Sequence, residues 1–398
     1  VPAGGPLAPG RPVPLETCSE TGRHRHAALA ATARELDAAW NDKAVEEEVV
    51  GFVLNLPEFS NVWHNVHWWV PAVARLHGDP RLEGRVPGKV QLLLLFEGYT
   101  FAETGGEPDG ERRARQGGVD EEAELTDRLE AFVIRHVPLL KLLTAAPPAL
   151  LRLVRRRCFG HLLWGRPELR ADRELAHPGA AGAGDVQLFR RVLADRHRMQ
   201  LRDHAEDFWS GGVEWTGPVR VLIVQRAPVH KRSFEDLDAL LDVGVSPAAS
   251  RGELVWRVAA DLELQPLARQ IAMFSSSDVL VGAVGAALAW LVTMRAGAQV
   301  LEWLPHGVPP SLYRCSEAWN ADGLGMFGGL GRLAGVDHVC LRSGRGESAH
   351  ESVERRWAGT KTTVKDAYWR ERDCRVDREK FAHWVREGVA RARRSRGP

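Results

Sequence analysis

From Val219 onward the chain alternates short apolar runs with amphipathic segments, and this alternation narrows the fold more than any other feature. Val219 to Gln225, Leu254 to Val258, Asp278 to Val281 and Gln299 to Leu304 read as strands. Between them Phe234 to Leu241 (opened by Ser233), Leu264 to Met273 and Gly285 to Met294 read as helices. A strand, a crossover helix and a further strand return the chain parallel to itself, so the class is α/β with a parallel sheet.

The first half is less regular. Residues 1 to about 25 are rich in Pro and Gly and read as a disordered lead, and Ala27 to Trp40 as a helix. Val49 to Leu56 and Val90 to Phe96 are apolar enough for buried strands. Asn61 to Leu76 carries Val66, Trp69, Val70 and Val73 at helical spacing. Residues 103 to 125 and Ala171 to Gly184 lack periodicity and read as loops, whereas Asp185 to Arg202 is amphipathic and Asp377 to Arg391 forms a last helix. At 398 residues the chain exceeds what one core usually organises. The expected division is a Pro/Gly-rich lead and first helix over 1–45, an N-terminal Rossmann-like domain over 46–210, a C-terminal domain over 211–345 and an extension with the final helix over 346–398.

Charge excludes one class of function. The 53 Lys and Arg balance 52 Asp and Glu, leaving a net charge of +1, where a general nucleic-acid binder needs a basic surplus. Only seven of the 53 cations are Lys. The five cysteines, Cys18, Cys158, Cys315, Cys340 and Cys374, form no CxxC pair, which removes a Cys-rich zinc module but leaves room for one or two disulfides. The longest uncharged apolar run, Val279 to Met294, is 16 residues and too short to span a bilayer. The start Val1-Pro2-Ala3 reads as a chain whose N-terminus is missing or processed, with room for an upstream membrane anchor. No G-x-S-x-G elbow, Walker A loop or H-E-x-x-H occurs.

The segment from Ser275 to Ala289 bears the most chemistry. A strand ends in a turn containing Gly282 and Gly285 and then enters a helix. Small residues there let backbone approach an anion, and the amides of the helix start, from Ala286, would face it. Close packing of strand against helix requires the same residues, so the turn alone leaves both readings open. Arg226 closes Val221 to Gln225 at a strand end, where a guanidinium can clamp phosphate, with Lys231 and Arg232 adding charge. Glu302 closes the next strand, where a carboxylate can accept from ribose hydroxyls. In the first half, His64 and His67 lie three apart among Trp63, Trp68 and Trp69, a pattern that suits either a general base or a packed core. Asp236-Leu-Asp238 resembles a metal-binding D-x-D but falls in a helix, where charge on the solvated face is the simpler reading.

In order along the chain, several of these segments resemble glycosyltransferase family 61, the group of the EGF-domain O-linked N-acetylglucosamine transferase and the plant β-1,2-xylosyltransferases. Asn61-Val-Trp-His64 is similar to its N-x-x-H, and Val221 to Arg226 followed by Phe234-Glu-Asp-Leu to its strand ending in S-R. Gln270 with Ser277-Asp278-Val-Leu-Val-Gly282 resembles its Q…T-D-x-L-V-G signature. Ala298 to Pro305 and Val376 to Phe381 resemble two later segments. Val284 and Ala287 depart from the family's V-G-x-H-G-A-G-L, and Trp68 stands where many members carry an acid.

The resemblance implies a GT-B fold, two Rossmann-like domains facing across a cleft, with 46–210 as the acceptor domain and 211–345 as the nucleotide-sugar-binding domain. It implies inverting transfer from a UDP-sugar, N-acetylglucosamine or xylose, to a hydroxyl of a glycan or glycoprotein, without an obligatory metal or cofactor, in the lumen of the Golgi or endoplasmic reticulum. His64 and His67 then take the catalytic role. Arg226, Lys231, Gly282, Gly285, Ala286 and Glu302 hold the donor, and Asn61, Gln270 and Asp278 support them. The departures keep a second reading open, a catalytically inactive glycosyltransferase-like binding protein.

Overall fold

Consecutive rather than alternating apolar residues mark strands covered on both faces, the condition met in parallel sheets. The computed structural model describes residues 50–55, 66, 69–71, 73, 77, 90–95, 149–150, 161–165, 182–209, 217–226, 232–260, 262, 265–308, 315–321, 326–344 and 373–396. The chain divides into two compact units, Val1–Leu169 and Arg170–Pro398. This boundary lies ahead of the long helix before Val219 and not near residue 210.

In the first unit, β1 (Val50–Asn55), β2 (Val90–Leu95), β3 (Ala149–Leu150) and β4 (His161–Gly165) form a sheet of order β3-β2-β1-β4. Every pairing is parallel. The order 3-2-1-4 is that of a Rossmann half. Val66, Trp69, Val70 and Val73 are helical and fully buried, as their spacing predicts. The lead, the first helix, the loop over residues 103 to 125, Asn61, His64 and His67 lie outside the described residues.

The second unit opens with α1 (Ala183–Trp209) and continues through β5 (Val219–Val224), α2 (Leu237–Gly244), α3 (Ser246–Ser250), β6 (Leu254–Ala259), α4 (Leu267–Ser275) and β7 (Val279–Ala283). A 3-10 helix over Ala286–Thr293 follows, then β8 (Gln299–Leu304), α5 (Met326–Ala334), β9 (Asp337–Arg342) and α6 (Arg378–Ser395). The sheet order is β6-β5-β7-β8-β9, again parallel throughout. Counted within the unit this is 2-1-3-4-5, and the direction of winding reverses between β5 and β7. Central β5, β7 and β8 are buried at every position, while edge strand β6 alternates.

Each sheet face has its own cover. Val221, Ile223, Val281, Leu301 and Trp303 pack under α2 and α6, with Phe381 stacked on Trp303 at 6.3 Å between centroids. Gly244 lets α6 approach, because a methyl there would stand 2.6 Å from the Phe381 ring. On the other face lie α4, the 3-10 helix and α5, with α1 packed over them. Trp209 of α1 donates from Nε1 to Ser276 Oγ at 2.9 Å. The helix expected to open at Ser233 begins at Leu237 instead. Ser233 is drawn into hydrogen bonds with Asp373, and Phe234 bridges to Cys374, partners some 140 residues away that no local pattern announces. Asp238 lies exposed on α2 and Asp236 just ahead of it, as expected for solvated charge.

Two carboxylates pin the amino-terminal edge of this sheet. Asp278, fully buried, accepts from the Arg220 amide at 2.8 Å and from Arg295 Nε and Nη2 at 3.2 and 3.1 Å. It also accepts from Arg396, just past the end of α6, which donates further to Gly217 and Pro218 carbonyls. Asp337, opening β9, accepts from Asn320, Gln299 and Arg391. Burial opposes its ionisation, but these donors outweigh burial and hold the carboxyl below its ordinary value. Cys315 and Cys340 form a disulfide that ties the segment before α5 to β9. The Cys374 thiol is buried, and burial pushes it up to about 12.

Two stability effects follow. Asp278→Ala strands two partly buried guanidinium groups and should cost about 3–5 kcal/mol, read as a lowered urea midpoint for the second unit. Asp337 contributes stability above its unfolded pKa of about 3.9, and that contribution is lost as pH falls through the lower folded value. Asp337→Asn should therefore flatten the acid limb of stability below about pH 4, followed by thermal melts across pH.

Candidate functional site

Parallel α/β sheets bind ligands outside the carboxyl ends of their strands, at the point where winding reverses, because the crossovers leave a crevice there. In the second unit that point lies between β5 and β7. Val224 ends β5 and Arg226 follows two residues later, while Ala283 ends β7 and leads through Val284 and Gly285 into the 3-10 helix. The register pairs Val224 with Gly282, which sets these two chain ends side by side. A methyl built on Gly285 would lie 3.4 Å from Arg226 Nη1, so the guanidinium rests against this turn.

The turn is built to present backbone. Val284 gives its amide to Trp303 O at 2.9 Å and buries its side chain, with 1% exposed. Its carbonyl accepts from Arg232 Nη1 at 3.4 Å, and Arg232 is held in the left-handed region at φ 57°. The Gly285 carbonyl takes the Leu288 amide at 3.0 Å, closing the first 3-10 turn. Amides at the start of such a helix, here from Ala286, lie ahead of any intrahelical acceptor and carry the positive end of the local dipole. Two guanidinium groups thus lie against one turn that leads into a helix start, groups of the kind that bind a diphosphate.

The other sequence-predicted residues distribute unevenly. Gly282 serves packing: a methyl there would stand 3.0 Å from Leu288 and 3.5 Å from Val224. Gln270 is spent inside the fold, accepting from Trp290 Nε1 at 3.0 Å and donating to Gln265 O at 2.9 Å. Asp278, expected to support the donor site, sits at the opposite edge of the sheet, held by arginines. Glu302 is the fourth of six residues in β8 rather than its end, and is 1% exposed. Its Oε2 lies 2.8 Å from Nε2 of buried His338. Glu302 Oε1 and His338 Nδ1 are buried without hydrogen-bond partners. Lys231 falls outside the described residues. Among those described, no group of three His, Cys, Asp or Glu is arranged to hold a metal ion.

Sequence reasoning missed His338 and the full part of Arg232. His338 interrupts an otherwise apolar strand, and a polar residue inside a buried run was the available signal. His306, on the turn after β8 at the same carboxyl edge, also escaped notice.

A family model, Glycosyltransferase 61, matches residues 67–301, more than half of the chain. The chain belongs to glycosyltransferase family 61. The matched span holds Arg226 and the Gly285 turn, whereas His64 and Glu302 lie just outside it. Among solved structures, the chain is similar to the crystal structure of the glycosyl transferase family 9 from Veillonella parvula DSM 2008, at 10% identity and a TM-score of 0.35. That likeness covers 87% of this chain and 99% of the other. No curated protein matches the sequence.

In this glycosyltransferase the Glu302–His338 pair is an internal hydrogen bond of the second unit's sheet. Removing either partner leaves the other buried and unsatisfied, so Glu302→Ala and His338→Ala should each cost about 1–3 kcal/mol. The double variant should lose less than their sum. A double-mutant cycle by denaturant unfolding reads the coupling, and strict additivity would remove the pair.

Proposed function

We propose that the protein transfers a sugar with inversion from a nucleoside diphosphate donor, UDP-N-acetylglucosamine or UDP-xylose, to a hydroxyl of a glycan or glycoprotein. The observation that carries this reading is the contact of Arg226 with the Gly285 turn at the reversal between β5 and β7. The donor's diphosphate lies in that crevice, against Arg226, Lys231 and the amides from Ala286. Arg232 adds a second guanidinium at the rim.

In this mechanism the acceptor oxygen attacks the anomeric carbon from the face opposite the nucleotide. The bond from that carbon to the diphosphate oxygen breaks, and the acceptor proton passes to an imidazole, His64 or His67, with Asn61 in support. Charge developing on the leaving diphosphate meets guanidinium and amide donors already in place, so the clamp needs no metal. The histidines belong to the first unit by sequence, and the strand order of that unit's sheet is that of a Rossmann half.

A lumenal, oxidising compartment of the secretory pathway agrees with the Cys315–Cys340 disulfide. Among the described residues no helix is long and apolar enough to cross a membrane.

Arg226→Ala removes the principal cation of the clamp and should lower kcat about 10²–10³-fold, with the thermal transition unchanged. A transfer and donor-hydrolysis assay with UDP-N-acetylglucosamine and UDP-xylose measures this. Full activity in the variant would overturn the site, and failure of calorimetry to detect binding of either donor would overturn the donor class.

A further inference from the structure

A second basic feature lies at the other end of the same sheet. Helix α1 packs beside α4, and between them runs a groove of ≈ 670 Å³ that reaches Thr293 and Arg295. Four arginines line it, Arg190, Arg198, Arg202 and Arg295, against one acid, Glu206. Ser276 and Arg295 lie just before β7 and β8, so the groove opens at the amino-terminal edge, away from the Arg226 crevice.

Arg190, Arg198 and Arg202 are spaced eight and four residues apart and so share a face of α1. They span roughly 18 Å along the helix at 1.5 Å per residue. Arg198 and Arg202 are exposed, and among the described residues they pair with Asp195 at 3.9 Å and Glu206 at 2.7 Å. Arg190 is different. Its Nε donates to Val292 O at 2.6 Å, which turns the guanidinium inward, and its Nη2 is buried without a hydrogen-bond partner. Burial pushes its pKa down to about 10. Among the described residues no carboxylate pairs with it. A desolvated, uncompensated guanidinium is costly in a folded protein unless an anion completes it.

We propose that this groove binds an extended oligoanion, a chain of sulfate or phosphate groups, with Arg190 holding one group at the inner end and Arg198 and Arg202 the groups that follow. Arg295, anchored by Asp278, faces them from the opposite wall and fixes the width of the groove. The site is separate from the donor crevice and does not rest on the reading of that crevice. Its natural ligand is either a sulfated or phosphorylated sugar chain or a free phosphate chain, since both present the same row of charges.

Isothermal titration of the Arg226→Ala protein tests the groove with the donor clamp disabled. Inorganic tripolyphosphate and a highly sulfated heparin tetrasaccharide should each bind saturably at one equivalent, more weakly as salt rises. Inorganic phosphate should bind far more weakly than either. Arg190→Gln in that background should raise Kd about ten-fold or more. Arg198→Gln and Arg202→Gln, at exposed positions that leave the fold intact, should each raise it about three-fold and decide the matter if Arg190→Gln fails to fold. Tighter binding of the tetrasaccharide assigns the anion to a glycan, and tighter binding of tripolyphosphate assigns it to a free phosphate chain. Absence of saturable binding, or a Kd unmoved by Arg198→Gln and Arg202→Gln, overturns the proposal. Sugar transfer should be unaffected by the exposed substitutions in an otherwise unaltered chain, so this result stands apart from the donor site.

Discussion

The second unit is organised around one buried carboxylate. Asp278 begins the approach to β7, and its two oxygens collect the Arg220 amide of β5, the Arg295 guanidinium ahead of β8 and Arg396 beyond α6. A carboxylate with no solvent must find such donors or lose its charge. By finding them on β5, before β8 and after α6, it locks together the strands and helix that define the crevice. The register it helps enforce pairs Val224 with Gly282 at the far end, and this pairing puts Arg226 against Gly285. The geometry of the carboxyl edge is therefore set from the amino-terminal edge.

The two ends of the sheet use arginine differently. At the amino-terminal edge the guanidinium groups of Arg295 and Arg396 are consumed by a buried acid, which makes them structural. At the carboxyl edge Arg232 donates to the Val284 carbonyl and Arg226 rests beside Gly285, both against the turn after β7. The same residue type is thus set against a buried acid at one edge and against a backbone turn at the other. A count of cations along the chain has no means of showing this difference.

How much was legible in the sequence follows the same line. Strands β5, β7 and β8 were readable because burial on both faces forces consecutive apolar residues. Strand β9 was not, since Asp337, His338 and Arg342 break its run, each for a tertiary reason: a pin, an internal pair and an edge. The helix predicted from Leu264 starts at Leu267 because Pro266 fixes the entry. The expected cap Ser233 was lost to Asp373, 140 residues away. Arg226 and the Gly285 turn could be picked out because strand ends are local features. The true role of Asp278 could not, since its partner Arg396 lies 118 residues further on.

Gly282 and Gly285 show why a glycine motif by itself left two readings open. They lie three residues apart, one within β7 and one in the turn after it, and both allow close approach, but what approaches differs. Gly282 lies within β7, where Leu288 of the 3-10 helix closes on the sheet. Gly285 adopts extended φ and ψ of 176° and 164°, a conformation open to any residue, so backbone strain does not explain it. Its neighbour is instead the Arg226 guanidinium. One glycine seats the helix on the sheet, and the other leaves room beside a cation at the mouth of the crevice. The first is needed to hold the second in place, so packing and binding are successive parts of one strand and the turn after it.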